Sequence, residues 1–101
     1  MFIYNVTTKV NWGIHEVWLE WMQQEHMPAL ISTNCFVRYQ LLRLHEQDEE
    51  EGPTYVVQYF AESKALYNRY IELYADVFRK EYHDKWGDNF IAFRTLLEVI
   101  E

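Results

Sequence analysis

The chain has 101 residues, half of them apolar and 18% aromatic, and its 16 acidic and 9 basic side chains leave a formal net charge of −7. So apolar a chain is not a disordered one, and so acidic a chain lacks the basic footprint that nucleic acid or an anionic membrane surface requires. The length suits one domain, residues 1–101, and no apolar run approaches a bilayer span.

The opening residues Met1-Phe2-Ile3-Tyr4-Asn5 include no basic stretch and no cleavable apolar segment, and Cys35 is the only cysteine. A reduced, cytoplasmic protein without an internal disulfide is expected. Eight Tyr, six Phe and four Trp are more aromatic surface than so small a body readily hides, which points to a lined pocket or a subunit interface.

Phe2 to Val10 alternates as a strand, with Phe2, Tyr4, Val6, Thr8 and Val10 on one face and Ile3, Asn5, Thr7 and Lys9 on the other. Asn11-Trp12-Gly13 closes it. Ile14 to about Met27 has helical spacing, through Ile14, Val17, Trp18, Trp21 and Met22. Pro28 disfavours helical geometry at Met27, so the helix is expected to break or restart there, with Pro28 opening a short turn through Ala29-Leu30-Ile31. Ser32-Thr33-Asn34 is turn chemistry.

Phe36 to His45 reads as a second strand and Thr54 to Ala61 as a third. Between them lies a long hairpin loop holding the acidic run Glu46, Asp48, Glu49, Glu50 and Glu51 and then Gly52-Pro53. A solvated loop is the plain reading of that run. Ser63 is placed to cap a helix running to Lys85, whose stripe of Leu66, Tyr67, Tyr70, Ile71, Leu73, Tyr74, Val77, Phe78 and Tyr82 is wider than one packed face needs. Gly87 suits the helix end, and Asn89 to Ile100 is the last strand.

The order β-α-β-β-α-β is that of the ferredoxin-like fold, an α+β domain with a four-stranded antiparallel sheet and two helices on one face. The strands carry apolar residues on both faces, most clearly Ile91, Phe93, Leu97 and Val99 opposite Phe90, Ala92 and Leu96. A sheet with one solvated face alternates apolar and polar, so this second face requires a cover, and a second copy of the chain, a homodimer, is the simplest.

Tyr4-Asn5-Val6-Thr7, Trp18-Leu19-Glu20-Trp21-Met22 and His26-Met27-Pro28, taken with the element order, resemble the dimeric α+β barrel superfamily. Within it the chain is most similar to a group of short uncharacterised bacterial proteins, a domain of unknown function. The His-x-Pro after an aromatic helix is also similar to EthD-like and stress-responsive barrels. The resemblance implies two sheets facing each other in a dimer. The superfamily includes monooxygenases, haem-degrading enzymes, isomerases, decarboxylases and proteins without an assigned reaction, so membership does not imply an activity.

His26 is the candidate catalytic residue, able to act as acid, base or ligand near neutral pH. A helix C-terminus would favour its charged form, and the plainer role is to bond a free carbonyl there. Trp18 and Trp21 share one stripe, either as core or as a flat wall for a planar ligand. Asn5, Thr7, Arg38, Gln40, Gln58 and Arg94 interrupt apolar strands. On one sheet face they would form a polar patch suited to a carboxylate or other anion; otherwise they staple two subunits together. His15, His26, His45 and His83 are scattered, so no metal site and no cofactor is expected. Three readings follow: a dimer binding a small apolar or anionic molecule, a cofactor-independent monooxygenase- or isomerase-like enzyme using His26, and a purely structural dimer.

Overall fold

The structure is a computed structural model and describes residues 1–101. Four strands form one sheet: β1 (Phe2–Val10), β2 (Arg38–Arg43), β3 (Thr54–Ala61) and β4 (Phe90–Glu98), in the order β2-β3-β1-β4 with every pairing antiparallel. That is the ferredoxin-like arrangement, with the chain's first and third strands at the centre. β2 and β4 are shorter than their apolar patterns suggest. Phe36 leaves the ladder to enter the core, and Val99 closes the other end by donating its N–H to the Met1 carbonyl at 2.9 Å.

Register fixes which side chains share a face. Tyr4 pairs with Tyr59 and Leu96, Val6 with Val57 and Arg94, and Thr8 with Tyr55 and Ala92. These residues face the helices. The opposite face holds Asn5, which pairs with Gln58 and Thr95, and Thr7, which pairs with Val56 and Phe93. Arg38 pairs with Phe60 and Gln40 with Gln58 on this same outer face.

The first helical region is one bent rod. α1 (His15–Trp21) passes into a π-helical segment (Met22–His26) and then α2 (Met27–Ile31). Of the break or restart expected at Met27, the restart is what occurs: α2 begins there with no interruption of the rod, the Met27 backbone being helical at φ −63 and ψ −44 and its N–H bonding the Met22 carbonyl. In an unbroken α-helix a proline ring clashes with the carbonyl four residues back. The wider π turn relieves that clash, and Pro28 falls in the first turn of α2, where a missing N–H costs nothing.

The second helical region is two helices rather than one, α3 (Lys64–Leu73) and α4 (Ala75–Trp86), meeting at Tyr74 with φ −127. Its cause is phase. At 3.6 residues per turn, the stripe centred on Tyr70 and the stripe of Ala75, Tyr82 and Trp86 lie about 140° apart on a straight helix. The bend at Tyr74 brings both onto the sheet, which accounts for most of the over-wide pattern; Leu73 and Val77 remain exposed. Ser63 caps α3, its hydroxyl accepting from the Leu66 N–H at 3.2 Å. Gly87 ends α4 at φ 57.

The core lies between the helices and the inner sheet face and is largely aromatic. The Tyr4 ring packs 5.4–6.0 Å from the rings of Phe36, Tyr59, Tyr67 and Tyr70. Trp18 is fully buried, its indole N–H donating to the Tyr82 hydroxyl at 2.6 Å, so burial of a large apolar body leaves no orphan donor. The acidic run is less free than a solvated loop. Arg43 clasps Glu49 through Nε at 3.3 Å and Nη2 at 2.7 Å, and the Trp12 indole donates to the Glu49 carbonyl at 2.7 Å.

Candidate functional site

A cavity remains inside the helix–sheet sandwich, with about 420 Å³ of free space counting its open mouth. Only ≈ 30 Å³ of this admits the centre of a water molecule, so it is narrow as it stands. The sheet supplies Tyr4, Tyr59, Ala92 and Arg94 to its wall; the helices supply His26, Phe78, Arg79 and Tyr82 among others. Arg94 is the exposed residue of the wall and marks the mouth, at the β4 edge of the sheet facing α4.

His26 enters this space from the π segment. Its ring stacks on Trp21 (centroids 4.8 Å apart, planes at 24°) and meets the rings of Tyr82 and Phe78 edge-on at 5.2 and 6.1 Å. Burial in this aromatic box, and then the positive charge of Arg94, lower its pKa from 6.5 to about 4. His26 is therefore neutral at physiological pH. The expectation of a charged ring at a helix C-terminus fails because the helix continues through Pro28 to Ile31, leaving no helix end for His26 to cap.

Two guanidiniums converge on one phenol. Arg79 Nη2 donates to the Tyr4 hydroxyl oxygen at 3.2 Å and Arg94 Nε donates to the same atom at 3.1 Å. Neither arginine takes part in an ion pair; the salt bridges are Lys9–Glu51, Arg43–Glu49 and Lys80–Asp84. No carboxylate is in the cavity wall. Two buried polar atoms of wall residues lack a partner, the Tyr59 hydroxyl and Arg79 Nε. Burial raises the pKa of Tyr59 well above the ordinary phenol value and that of Tyr82 to about 12, so both hydroxyls keep their protons.

The candidate residues divide between the two sheet faces. His26 and Arg94 meet at the cavity. Trp18 and Trp21 stand one layer behind it, Trp18 holding Tyr82 and Trp21 backing His26, rather than forming its wall. Asn5, Arg38 and Gln58 lie on the outer face. Gln58 Nε2 donates to Asn5 Oδ1 at 3.3 Å and Asn5 Nδ2 to Thr95 Oγ1 at 3.2 Å, while the Arg38 guanidinium sits 3.6 Å above the Phe60 ring. The polar set shares the outer face except for Arg94, so the patch there has one arginine rather than two.

A family model described as a domain of unknown function, DUF4286, matches residues 1–100. The chain belongs to the DUF4286 family. No curated protein matches it. Among solved structures, a dimeric ferredoxin-like protein from an uncultured marine organism is 14% identical with a TM-score of 0.76, covering 99% of this chain and 95% of its own. SnoaB, a cofactor-independent oxygenase from Streptomyces nogalater, is 13% identical with a TM-score of 0.71, covering 99% and 94%. The haem-degrader MhuD from Mycobacterium tuberculosis, with two haems bound in its active site, is 16% identical with a TM-score of 0.62, covering 100% and 97%. At these identities the likeness is one of fold. In the DUF4286 chain no helix is long and apolar enough to cross a membrane, and no group of three or more His, Cys, Asp or Glu side chains is placed to hold a metal ion.

Arg79, Tyr4 and Tyr59 of this DUF4286 protein were not legible as site residues. Tyr4 and Tyr59 sit at core positions of the strand alternation, and Arg79 reads as the polar flank of a helix. One signal was available: Arg79 lies between Phe78 and Tyr82, inside the apolar stripe of α4.

Proposed function

We propose that this DUF4286 chain is a homodimeric protein, acting as a single domain in a reducing cytoplasm, that binds a small molecule in the cavity beside His26. The observation that carries the reading is the pair of orphaned polar groups on the cavity wall, Tyr59 OH and Arg79 Nε. Leaving such a group unpaired costs about 1–3 kcal/mol, which a ligand able to bond it would recover. The homodimer is supported by the bare outer sheet face, where Ile91, Phe93 and Leu97 are 74%, 60% and 41% exposed, and by dimeric proteins of the same fold. Asn5, Arg38 and Gln58 then belong to the subunit interface.

A thermal-shift screen of small organic molecules tests the binding reading, run beside Ala92→Phe, which fills the cavity from β4. Compounds should raise the melting temperature of the wild type and leave the variant unmoved. Equal shifts in both place the binding elsewhere and end the proposal.

A second reading, a cofactor-independent oxygenase- or isomerase-like enzyme, draws on the position of His26 in the cavity wall, where its neutral ring has a nitrogen open to a proton; at a pKa of about 4 it is a weak base and would serve an acidic substrate. His26→Ala should then abolish turnover and leave ligand affinity within about threefold; loss of both together would make His26 a binding residue only.

A further inference from the structure

The cavity is positive inside an acidic protein. Arg79 comes from α4 and Arg94 from β4, and their side chains meet at one neutral acceptor, the Tyr4 hydroxyl. A guanidinium presents five donors in a planar fork, matched to the two oxygens of a carboxylate; a phenol oxygen uses one donor from each. The fork of Arg79 is visibly underused, since its Nε is buried without a partner. Acids are near in sequence and absent in contact: Asp76, one turn earlier on α4, acts on Arg79 only through space. Two cations held together with no counterion repel each other, and an anion between them removes that cost.

The remainder of the wall sets the body of the ligand. His26, Phe78 and Tyr82 present ring faces and edges, the surroundings that suit a flat apolar group. Free space is small, and the exposed Arg94 is the wall residue free to swing outward, so the fit is to one ring rather than to a fused or macrocyclic system.

We propose that the ligand of this cavity is a one-ring organic carboxylate, its carboxylate held between Arg79 and Arg94 beside the Tyr4 hydroxyl and its ring against His26, Phe78 and Tyr82. The proposal rests on the small-molecule reading and names the ligand class for that site. Tyr4 is packed in the core and keeps its hydroxyl between the two arginines, which bond the carboxylate through the donors that the phenol leaves unused, and the Tyr59 hydroxyl is a further donor at the same wall.

Three probes of one shape and different charge test it: benzoate, benzamide and benzylamine, titrated into the full chain at neutral pH with binding read from ¹⁵N and aromatic ¹³C shifts. Benzoate should bind at least about tenfold more tightly than benzamide, as a charge-assisted bidentate pair demands, and benzylamine should not bind. Arg94→Gln should erase the preference for benzoate while keeping benzamide affinity within about threefold, and Arg94→Lys should keep part of it. Arg94 is exposed, so the variant's melting curve serves to confirm its fold. Benzamide binding as well as benzoate overturns the anion class and leaves the small-molecule reading standing. Benzoate binding that survives both Arg94→Gln and Arg79→Gln, or no binding of benzoate at all, overturns the proposal outright.

Discussion

His26 is a titratable group in a place that resists its charge. Trp21, Phe78 and Tyr82 box it, Arg94 and Arg79 supply positive charge from β4 and α4, and the phenols of Tyr4, Tyr59 and Tyr70 face the same cavity from β1, β3 and α3. With a folded pKa of about 4 against 6.5 in the unfolded chain, the unfolded state takes up the proton first as pH falls. Stability from this residue is therefore complete above pH 6.5 and is lost progressively down to about pH 4, by as much as about 3 kcal/mol. His26→Phe keeps an aromatic ring without the titration. Urea midpoints between pH 4 and 7.5 should fall less steeply with acid in the variant than in the wild type; parallel curves would show that His26 titrates normally. His26 was legible in the sequence because a proline two residues on singles it out. Arg94 was legible as an interruption of a strand, but its face was not: Arg94 and Asn5 lie on opposite faces because Arg94 pairs with Val6, a register set by the chain's other strands.

At the scale of elements, all four strands could be read from alternation, since β-branched and aromatic residues on both faces resemble little else. The helix joints could not. The π segment answers a steric problem posed by Pro28 but solved in the turn before it, and the bend at Tyr74 contains neither proline nor glycine. It arises from the mismatch of two apolar stripes, which becomes a constraint only once a sheet is there to receive both. Turn glycines offer a sharper test of local geometry. A Cβ on Gly52 would stand 1.7 Å from the Val10 carbonyl oxygen, where the loop before β3 lies against the end of β1. Gly87 meets nothing within 4 Å but has φ +57. Gly87→Ala should cost about 1–3 kcal/mol for its backbone strain alone, and Gly52→Ala more than that because main chain must move. Chemical denaturation of the two variants should preserve that order; equal losses would mean that the loop yields without disturbing β1.

The two faces of the one sheet differ in kind, and the proposed function gives each its own task. The inner face and helices enclose the cavity. On the outer face a polar row, Gln40, Gln58, Asn5 and Thr95, crosses all four strands at one level, with Ile3, Phe60 and Leu97 on one side and Leu42, Val56 and Phe93 on the other. Apolar flanks around a hydrogen-bonded centre suit a second copy, the amides keeping the two sheets in register. Phe93 is exposed at the edge of this face; the wild type should sediment as a dimer at micromolar concentration, and Phe93→Glu should fold and sediment as a monomer. A dimeric variant would place the interface elsewhere. Since the outer face also carries Asn5, Arg38 and Gln58, the division of labour between faces decides where a ligand sits. Its most direct test is to record, by nuclear Overhauser contacts, where the protons of bound benzoate lie. Contacts to the rings of His26, Phe78 and Tyr82 are expected. Contacts to Asn5, Gln58 or the Arg38–Phe60 pair would contradict this division and move the ligand to the face assigned to the dimer.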